Sequence, residues 1–284
     1  MIEERVMYPE CLWTYYGNLQ RIVEENYNLA VRFADVEGVH DMRVGIKRLR
    51  AYFNLIEWIN PVFQAKQNLK PIRRLFKAAG KVRDIHVHQE LLRRWATELD
   101  LEMSEYYNFL KQKETEERKR FADFAKKKID LKVFQSNWIL IQNVLAFIST
   151  EYIQYKSEER FKTQIEELIK FKEKENLGEE DYHSIRIHSK ETRYTLEVLQ
   201  TCFPPKSLWE KLNETLRKVH QALGRWHDND VSLLFLDGFL LSYTDRSFFD
   251  RNSYVKFKKG LADDKVRQMA EFEQSWMDFL AVMK

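Results

Sequence analysis

The stretch His40-Asp-Met-Arg43-Val-Gly-Ile-Lys47-Arg48-Leu-Arg50 decides how this sequence is interpreted. On a helix of 3.6 residues per turn, positions 40, 43, 47 and 50 fall within an arc of roughly 80°, as one stripe of potential cations. The opposite face carries apolar residues at alternating four- and three-residue steps, namely Met42, Ile46, Leu49, Phe53 and Ile56. The stretch therefore predicts an amphipathic helix whose core face and basic face point in opposite directions.

The pattern occurs a second time, 143 residues later, as His183-Ser-Ile-Arg186-Ile-His-Ser-Lys190-Glu191-Thr-Arg193. A second pair of motifs follows, because Gly80-Lys-Val-Arg83-Asp84 matches Gly224-Arg-Trp-His227-Asp228 at a shift of 144. Two matches in the same order at nearly the same shift indicate a duplicated unit. We predict two copies, over about 1–134 and 137–284, packed about a pseudo-twofold axis.

Helical spacing of apolar residues continues along almost the whole chain, and strand-like alternation is scarce. The 284 residues include only 8 Gly and 5 Pro, so long helices are favoured. The predicted fold is all-α, with two tandem bundles of four to five helices. The predicted helices are 9–33, 38–59, 71–79, 83–98, 103–130, 137–176, 182–201, 206–223, 227–243 and 248–283.

Charge is distributed unevenly along the chain. Residues 40–94 carry thirteen Lys/Arg and four Asp/Glu, a local net charge of +9, whereas the whole chain carries +3. Like charges at helical spacing repel one another, and an anionic ligand would remove that cost. Arg and Lys suit phosphate, so we predict that a phosphate-rich polyanion binds here. The candidate binding residues are His40, Arg43, Lys47, Arg48, Arg50, Arg73, Arg74, Lys77, Lys81, Arg83, His183, Arg186, Lys190, Arg193, Arg217, Lys218, Arg225 and His227.

Other features of the sequence narrow the class of protein. No apolar run is long enough to cross a membrane, and the N-terminus lacks the layout of a signal peptide, so a cytoplasmic location is expected. Cys11 and Cys202 are too few and too far apart for a disulfide framework and are interpreted as core residues. Asp84 and Asp228 are expected to hold a neighbouring Arg or to cap the helix that follows.

The doubled motifs resemble those of the CHAD family, the conserved histidine α-helical domain. The resemblance implies two helical bundles that face each other across a basic cavity or channel, with inorganic polyphosphate as the ligand. The sequence resembles a standalone member of the family. Our working hypothesis is a non-catalytic binding protein without cofactor or metal, located in the cytoplasm or at polyphosphate granules. The second copy departs from the pattern, since Glu191, His227 and Asp230 stand where the first has Arg48, Arg83 and His86. We therefore expect one shared, lopsided groove dominated by the first copy.

Three alternatives stay open at this point. His40, followed by Asp41, resembles the phosphoacceptor of a histidine phosphotransfer protein. A basic groove also suits nucleic acid, although stacking aromatics are not interleaved among the cations. A metal site or metal-dependent phosphohydrolase would draw on the histidines with Asp84 or Asp228, at spacings that match no metal motif. The histidines concerned are His40, His86, His88, His183, His188, His220 and His227. The sequence does not predict the oligomeric state or the preferred chain length.

Overall fold

A computed structural model describes residues 8–32, 35–242 and 251–283, and within those ranges the chain is helical and forms no strand. The predicted all-α class is thereby confirmed. No helix in the described part of the chain is long and apolar enough to cross a membrane. The helices are α1 (Tyr8–Arg32), α2 (Val36–Ile59), α3 (Ala65–Asn68), α4 (Lys70–Leu99), α5 (Ser104–Lys128), α6 (Lys132–Leu145), α7 (Thr150–Ile169), α8 (Glu179–Cys202), α9 (Ser207–Ser242) and α10 (Arg251–Val282), with short 3-10 helices at Pro61–Phe63 and Lys170–Glu173.

Two predicted helix breaks are wrong, because Gly80 and Gly224 lie inside the continuous helices α4 and α9. A glycine in a helix interior costs only about 1 kcal/mol, which packing on both sides of it outweighs. The predicted helix 137–176 is in fact two helices. It is interrupted where the Ser149 hydroxyl accepts a hydrogen bond from the amide of Tyr152 and caps α7. The start of the predicted last helix, 248–250, lies outside the described residues.

The helices pack as neighbours along the chain and then across it. Helix α1 lies along α2, α4 against α5, α8 against α9, and α9 against α10. Across the chain, α2 contacts α8 and α4 contacts α9. The sequence repeat maps α2 onto α8 and α4 onto α9, so equivalent helices meet each other. The copy boundaries and the pseudo-twofold axis remain predictions.

In the described part of the chain, the hydrophobic core consists of two clusters, and each draws on both predicted copies. The larger cluster contains the stacked rings of Tyr16 and Phe53 from α1 and α2 and reaches α9 and α10. Glycine makes one close approach possible, since a Cβ on Gly45 of α2 would lie 2.8 Å from a methyl group of Val23 in α1. The smaller cluster joins the end of α4 and the start of α5 to α9 and α10. Burial of each large apolar side chain stabilises this arrangement by about 1.5–3 kcal/mol.

A disulfide joins Cys11 of α1 to Cys202 at the end of α8, with 5.4 Å between their Cα atoms. The interpretation of both cysteines as core residues agrees with the structure, because Cys202 is buried in the larger core cluster and Cys11 packs against it. The expectation that they form no disulfide is wrong. A separation of 191 residues gives no sequence signal for pairing. The contact of α1 with α8 brings the two together.

Candidate polyanion-binding site

A cavity of about 350 Å³ lies where α2, α4, α8 and α9 meet. We call it the central cavity. Seven of the candidate binding residues line it, four from the first copy and three from the second. Its lining comprises His40, Arg43, Lys47, Arg83, Asp84, Val87, His88, Arg186, Lys190, His220, Gly224, His227, Asp228 and Val231.

Equivalent residues of the two copies touch in this cavity. Lys47 lies beside Lys190, its counterpart at a shift of 143, and both line the cavity. Two ammonium groups repel each other at such a place, so protonation of one disfavours protonation of the other. Beside them, Nδ1 of His88 lies 2.7 Å from the hydroxyl of Ser232, its counterpart at a shift of 144. Such contacts are what a twofold relation between the copies would produce.

Arg43 is held in the first copy by the residues around it. Its Nη1 donates to the carbonyl of Phe76 at 2.7 Å, and the guanidinium carbon lies 4.1 Å from the centre of the Phe76 ring. A Cβ on Gly80 would lie 3.1 Å from that Nη1, so glycine lets the guanidinium pass close to α4. The buried Nε of Arg43 has no hydrogen-bond partner among the described residues. Arg43 is therefore positioned while keeping a donor unused.

The second copy holds the equivalent Arg186 differently. His220 occupies the position that corresponds to Phe76, and no atom lies within 4 Å of a Cβ built on Gly224. Within the described chain, the buried Nε of Arg186 also lacks a hydrogen-bond partner. His183 is exposed and its ring centre lies 5.9 Å from that of His227, outside the lining of the central cavity. Arg43 of the first copy is therefore held by Phe76 and by its close approach to Gly80, whereas Arg186 of the second copy has neither contact in the described ranges.

The lysines and histidines that line the central cavity have lowered pKa values, because they are buried and close to other cations. Burial lowers the pKa of Lys47 to about 8, and burial together with repulsion by Lys47 lowers the pKa of Lys190 to about 6. Burial and the same cations lower the pKa of His220 to about 3. Burial likewise lowers the pKa of His227 to about 4, with Arg186 contributing. An anion in the cavity would reverse these shifts.

Two carboxylates partly balance the cations of the central cavity. Desolvation raises the pKa of both Asp84 and Asp228, and the nearby arginines, Arg43 for the first and Arg186 for the second, oppose that rise. The prediction that these aspartates cap helices is wrong, since both lie inside continuous helices. Their expected interaction with a neighbouring Arg agrees with the structure.

A second cavity, of about 670 Å³, opens beside the first on the outer side of α2, α3 and α4. We call it the outer groove, and it shares Lys47 with the central cavity. No carboxylate lines it, and none of its other cations forms an ion pair with any described residue. The outer groove is lined by Ile46, Lys47, Arg50, Lys66, Gln67, Leu69, Lys70, Arg73, Arg74, Phe76 and Lys77. An adjoining depression between α4 and α5 shares Arg74 and Lys77 and adds Lys81.

Five further candidate residues lie outside both cavities. Arg48 and Arg193 both pair with Glu197, at 2.9 and 2.6 Å, where α2 meets α8. On α9, Lys218 pairs with Glu214 at 3.0 Å, Arg225 pairs with Glu271 of α10, and Arg217 donates to Gln221. Their predicted role in ligand binding stays a prediction.

Sequence reasoning did not assign to the ligand four basic residues that line the two cavities, namely Lys66, Lys70, His88 and His220. Lys66 and Lys70 lie outside the repeated motifs, and only the charge count of residues 40–94 included them. His220 was considered only as a metal ligand, although its alignment with Phe76 places it next to the basic stripe. In the described ranges, no group of three or more His, Cys, Asp or Glu side chains could hold a metal ion.

The fold and the cavity together define an all-helical protein built around a cationic cavity that both halves of the chain line. Residues 18–237 match the family model of the CHAD domain, so the chain belongs to the CHAD domain family. The resemblance drawn from the motifs is confirmed.

Two solved structures are similar to this fold. The CHAD domain from the plant Ricinus communis is 18% identical, with a TM-score of 0.75 over 96% of this chain and 91% of that one. PptA from Streptomyces chartreusis is 13% identical, with a TM-score of 0.56 over 97% of this chain and 98% of that one. No curated protein matches the sequence.

Proposed function

We propose that this protein binds inorganic polyphosphate, without cleaving it, in the central cavity between its two halves. The observation that carries the proposal is that Arg43, Lys47, Arg186 and Lys190 line one cavity. They do so although burial there lowers the pKa of both lysines. A chain of phosphates supplies closely spaced negative charge, and guanidinium groups bind phosphate oxygens in pairs. Membership of the CHAD family supports the same ligand.

The test is a titration of tripolyphosphate against the wild type and two double variants, Arg43→Ala/Lys47→Ala and Arg186→Ala/Lys190→Ala. If both halves bind the ligand, each variant should weaken binding by roughly 10- to 100-fold, since each loses two charge-assisted contacts of about 1.5–3 kcal/mol, partly offset by relieved repulsion. The first variant should lose more, because Arg43 is already positioned by Phe76. Arg21→Ala/Lys162→Ala, which removes two exposed cations far from the cavity, is the matched control.

Salt dependence checks the electrostatic origin of binding. The logarithm of the binding constant should fall linearly with the logarithm of salt concentration, as counterions are released. A binding constant that hardly changes with salt contradicts the proposal. Polyphosphate recovered from the mixture at its original length would agree with a non-catalytic role, whereas shortened chains would show hydrolysis.

A further inference from the structure

We propose that the outer groove is a second binding site for the same polyanion, one that only long chains reach, so that the protein selects its ligand by chain length. This inference rests on the proposed function. The central cavity, of about 350 Å³, has room for a short segment of chain. A longer chain must continue outside it, and the outer groove is the cationic surface that adjoins it.

Continuity between the two cavities comes from Lys47. Its side chain lines both, and its ammonium group lies 5.9 Å from the centre of the Phe76 ring, which also lines the outer groove. A chain held by Lys47 in the central cavity therefore lies next to the outer groove, at the edge formed by Lys47 and Phe76. Arg74 and Lys77 then extend the cationic surface to the depression, whose lining adds Lys81 and the Arg120–Glu117 ion pair.

The charge of the outer groove is uncompensated by the protein. Six cations line it besides Lys47, and none forms an ion pair with a carboxylate in the described ranges; they are Arg50, Lys66, Lys70, Arg73, Arg74 and Lys77. The amino end of α4 lies in the same place, with no acidic residue in its first turn and no side chain capping it. Its dipole adds positive potential to that of the side chains.

Among the described residues, the second copy does not repeat the cation pattern of this groove. At a shift of 144, Lys70 becomes Glu214 and Lys77 becomes Gln221. Glu214 pairs with Lys218, the counterpart of Arg74. The outer surface of α9 is therefore close to neutral, and a chain leaving the central cavity is drawn to the side of α4 alone.

The experiment compares tripolyphosphate with long-chain polyphosphate on the full chain. The test variant is Arg73→Ala/Arg74→Ala/Lys77→Ala, and the matched control Lys211→Ala/Lys256→Ala/Lys259→Ala removes three exposed cations from α9 and α10 of the second copy, none of them a candidate binding residue. The test variant should bind long chains roughly 10- to 100-fold more weakly and lower the salt slope by about 2, at about 0.7 per lost contact. Its affinity for tripolyphosphate should match that of the wild type, and the control variant should match the wild type with both ligands.

The outcomes separate the two proposals. If tripolyphosphate and long chains both fail to bind the wild type, the proposed function and this inference fall together. If tripolyphosphate binds but the test and control variants lose equal affinity for long chains, or neither loses any, only the outer groove is disproved.

A single-stranded oligothymidylate tests whether the outer groove binds nucleic acid instead. If the test variant loses oligothymidylate binding and retains long-chain polyphosphate, the groove is a nucleic-acid site and the inference is overturned. Thermal unfolding of each variant verifies that it is folded.

Discussion

In the first half of the chain, Lys70 and Arg74 face the outer groove with no described carboxylate beside them, whereas in the second half their counterparts Glu214 and Lys218 pair with each other. The two halves nevertheless contribute the matching pair Lys47 and Lys190 to the central cavity. The comparison shows that the duplicated unit keeps its basic residues where the copies meet and differs where each copy faces outward. A shared cavity needs both halves, while an outer groove needs only one.

The largest expected effect comes from making the second half resemble the first. The variant Glu214→Lys/Gln221→Lys should give α9 a cationic outer surface and tighten long-chain polyphosphate binding by roughly tenfold at low salt. Tripolyphosphate, which is confined to the central cavity, should gain much less from the change. Isothermal titration measures both ligands. The control is Glu175→Lys, which adds positive charge in the exposed segment before α8. An equal gain in affinity for that variant would show that net charge alone explains the effect.

A change of pH is expected to have a smaller effect on ligand binding. This effect tests whether Lys47 and Lys190 act as a pair. Lys47 and Lys190 have pKa values of about 8 and about 6, below the usual 10.5, so folding disfavours their protonated forms. They therefore cost the folded protein stability progressively as pH falls from about 10 to about 6. A bound polyanion favours the protonated forms, so binding takes up protons and should strengthen as pH falls from about 8 to about 6.

The measurement is the rise in melting temperature caused by tripolyphosphate at several pH values. Lys190→Met keeps an apolar stem in place of the lysine and should flatten the profile between about pH 6 and pH 8. His220 and His227, with pKa values of about 3 and about 4, titrate below that window in the protein without ligand. An unchanged profile in the variant would assign the pH dependence to other groups, His40 first among them.

The smallest effect separates the two equivalent glycines. Gly224→Ala places a methyl group where nothing lies within 4 Å, so it should raise the free energy of unfolding by about 0.5–1 kcal/mol. Gly80→Ala gains the same helix propensity but presses on the Arg43 guanidinium at 3.1 Å. It should therefore stabilise less and weaken tripolyphosphate binding by a few-fold. Denaturant unfolding and titration would detect the difference, and identical behaviour of the two variants would show that Arg43 is not held by Gly80.

Much of this structure could be predicted from the sequence, since helical periodicity and a doubled motif are local signals. The all-α class and the CHAD resemblance followed from them, as did the grouping of Arg43, Lys47, Arg186 and Lys190. Helix continuity at Gly80 could not be predicted, because it depends on packing against distant segments and on the passage of an arginine over α4. The ion pair of Arg48 was missed for a similar reason, because Glu197 reaches Arg48 only after α2 and α8 have packed. The pair of Arg193 with Glu197 lies within α8 at a spacing of four residues, which the sequence does show.

The disulfide between Cys11 and Cys202 has a consequence for how the chain could be taken apart. It closes a covalent ring that contains α2, α4 and α8 and leaves out α9 and α10. One proteolytic cut within that ring, for example in the turn at 146–149, would leave the two fragments linked until a reductant is added. All four walls of the central cavity would then stay covalently connected, because α9 follows α8 in the same fragment and the disulfide joins that fragment to the one with α2 and α4. In a reducing cytosol, where such bonds rarely persist, that tether would be absent.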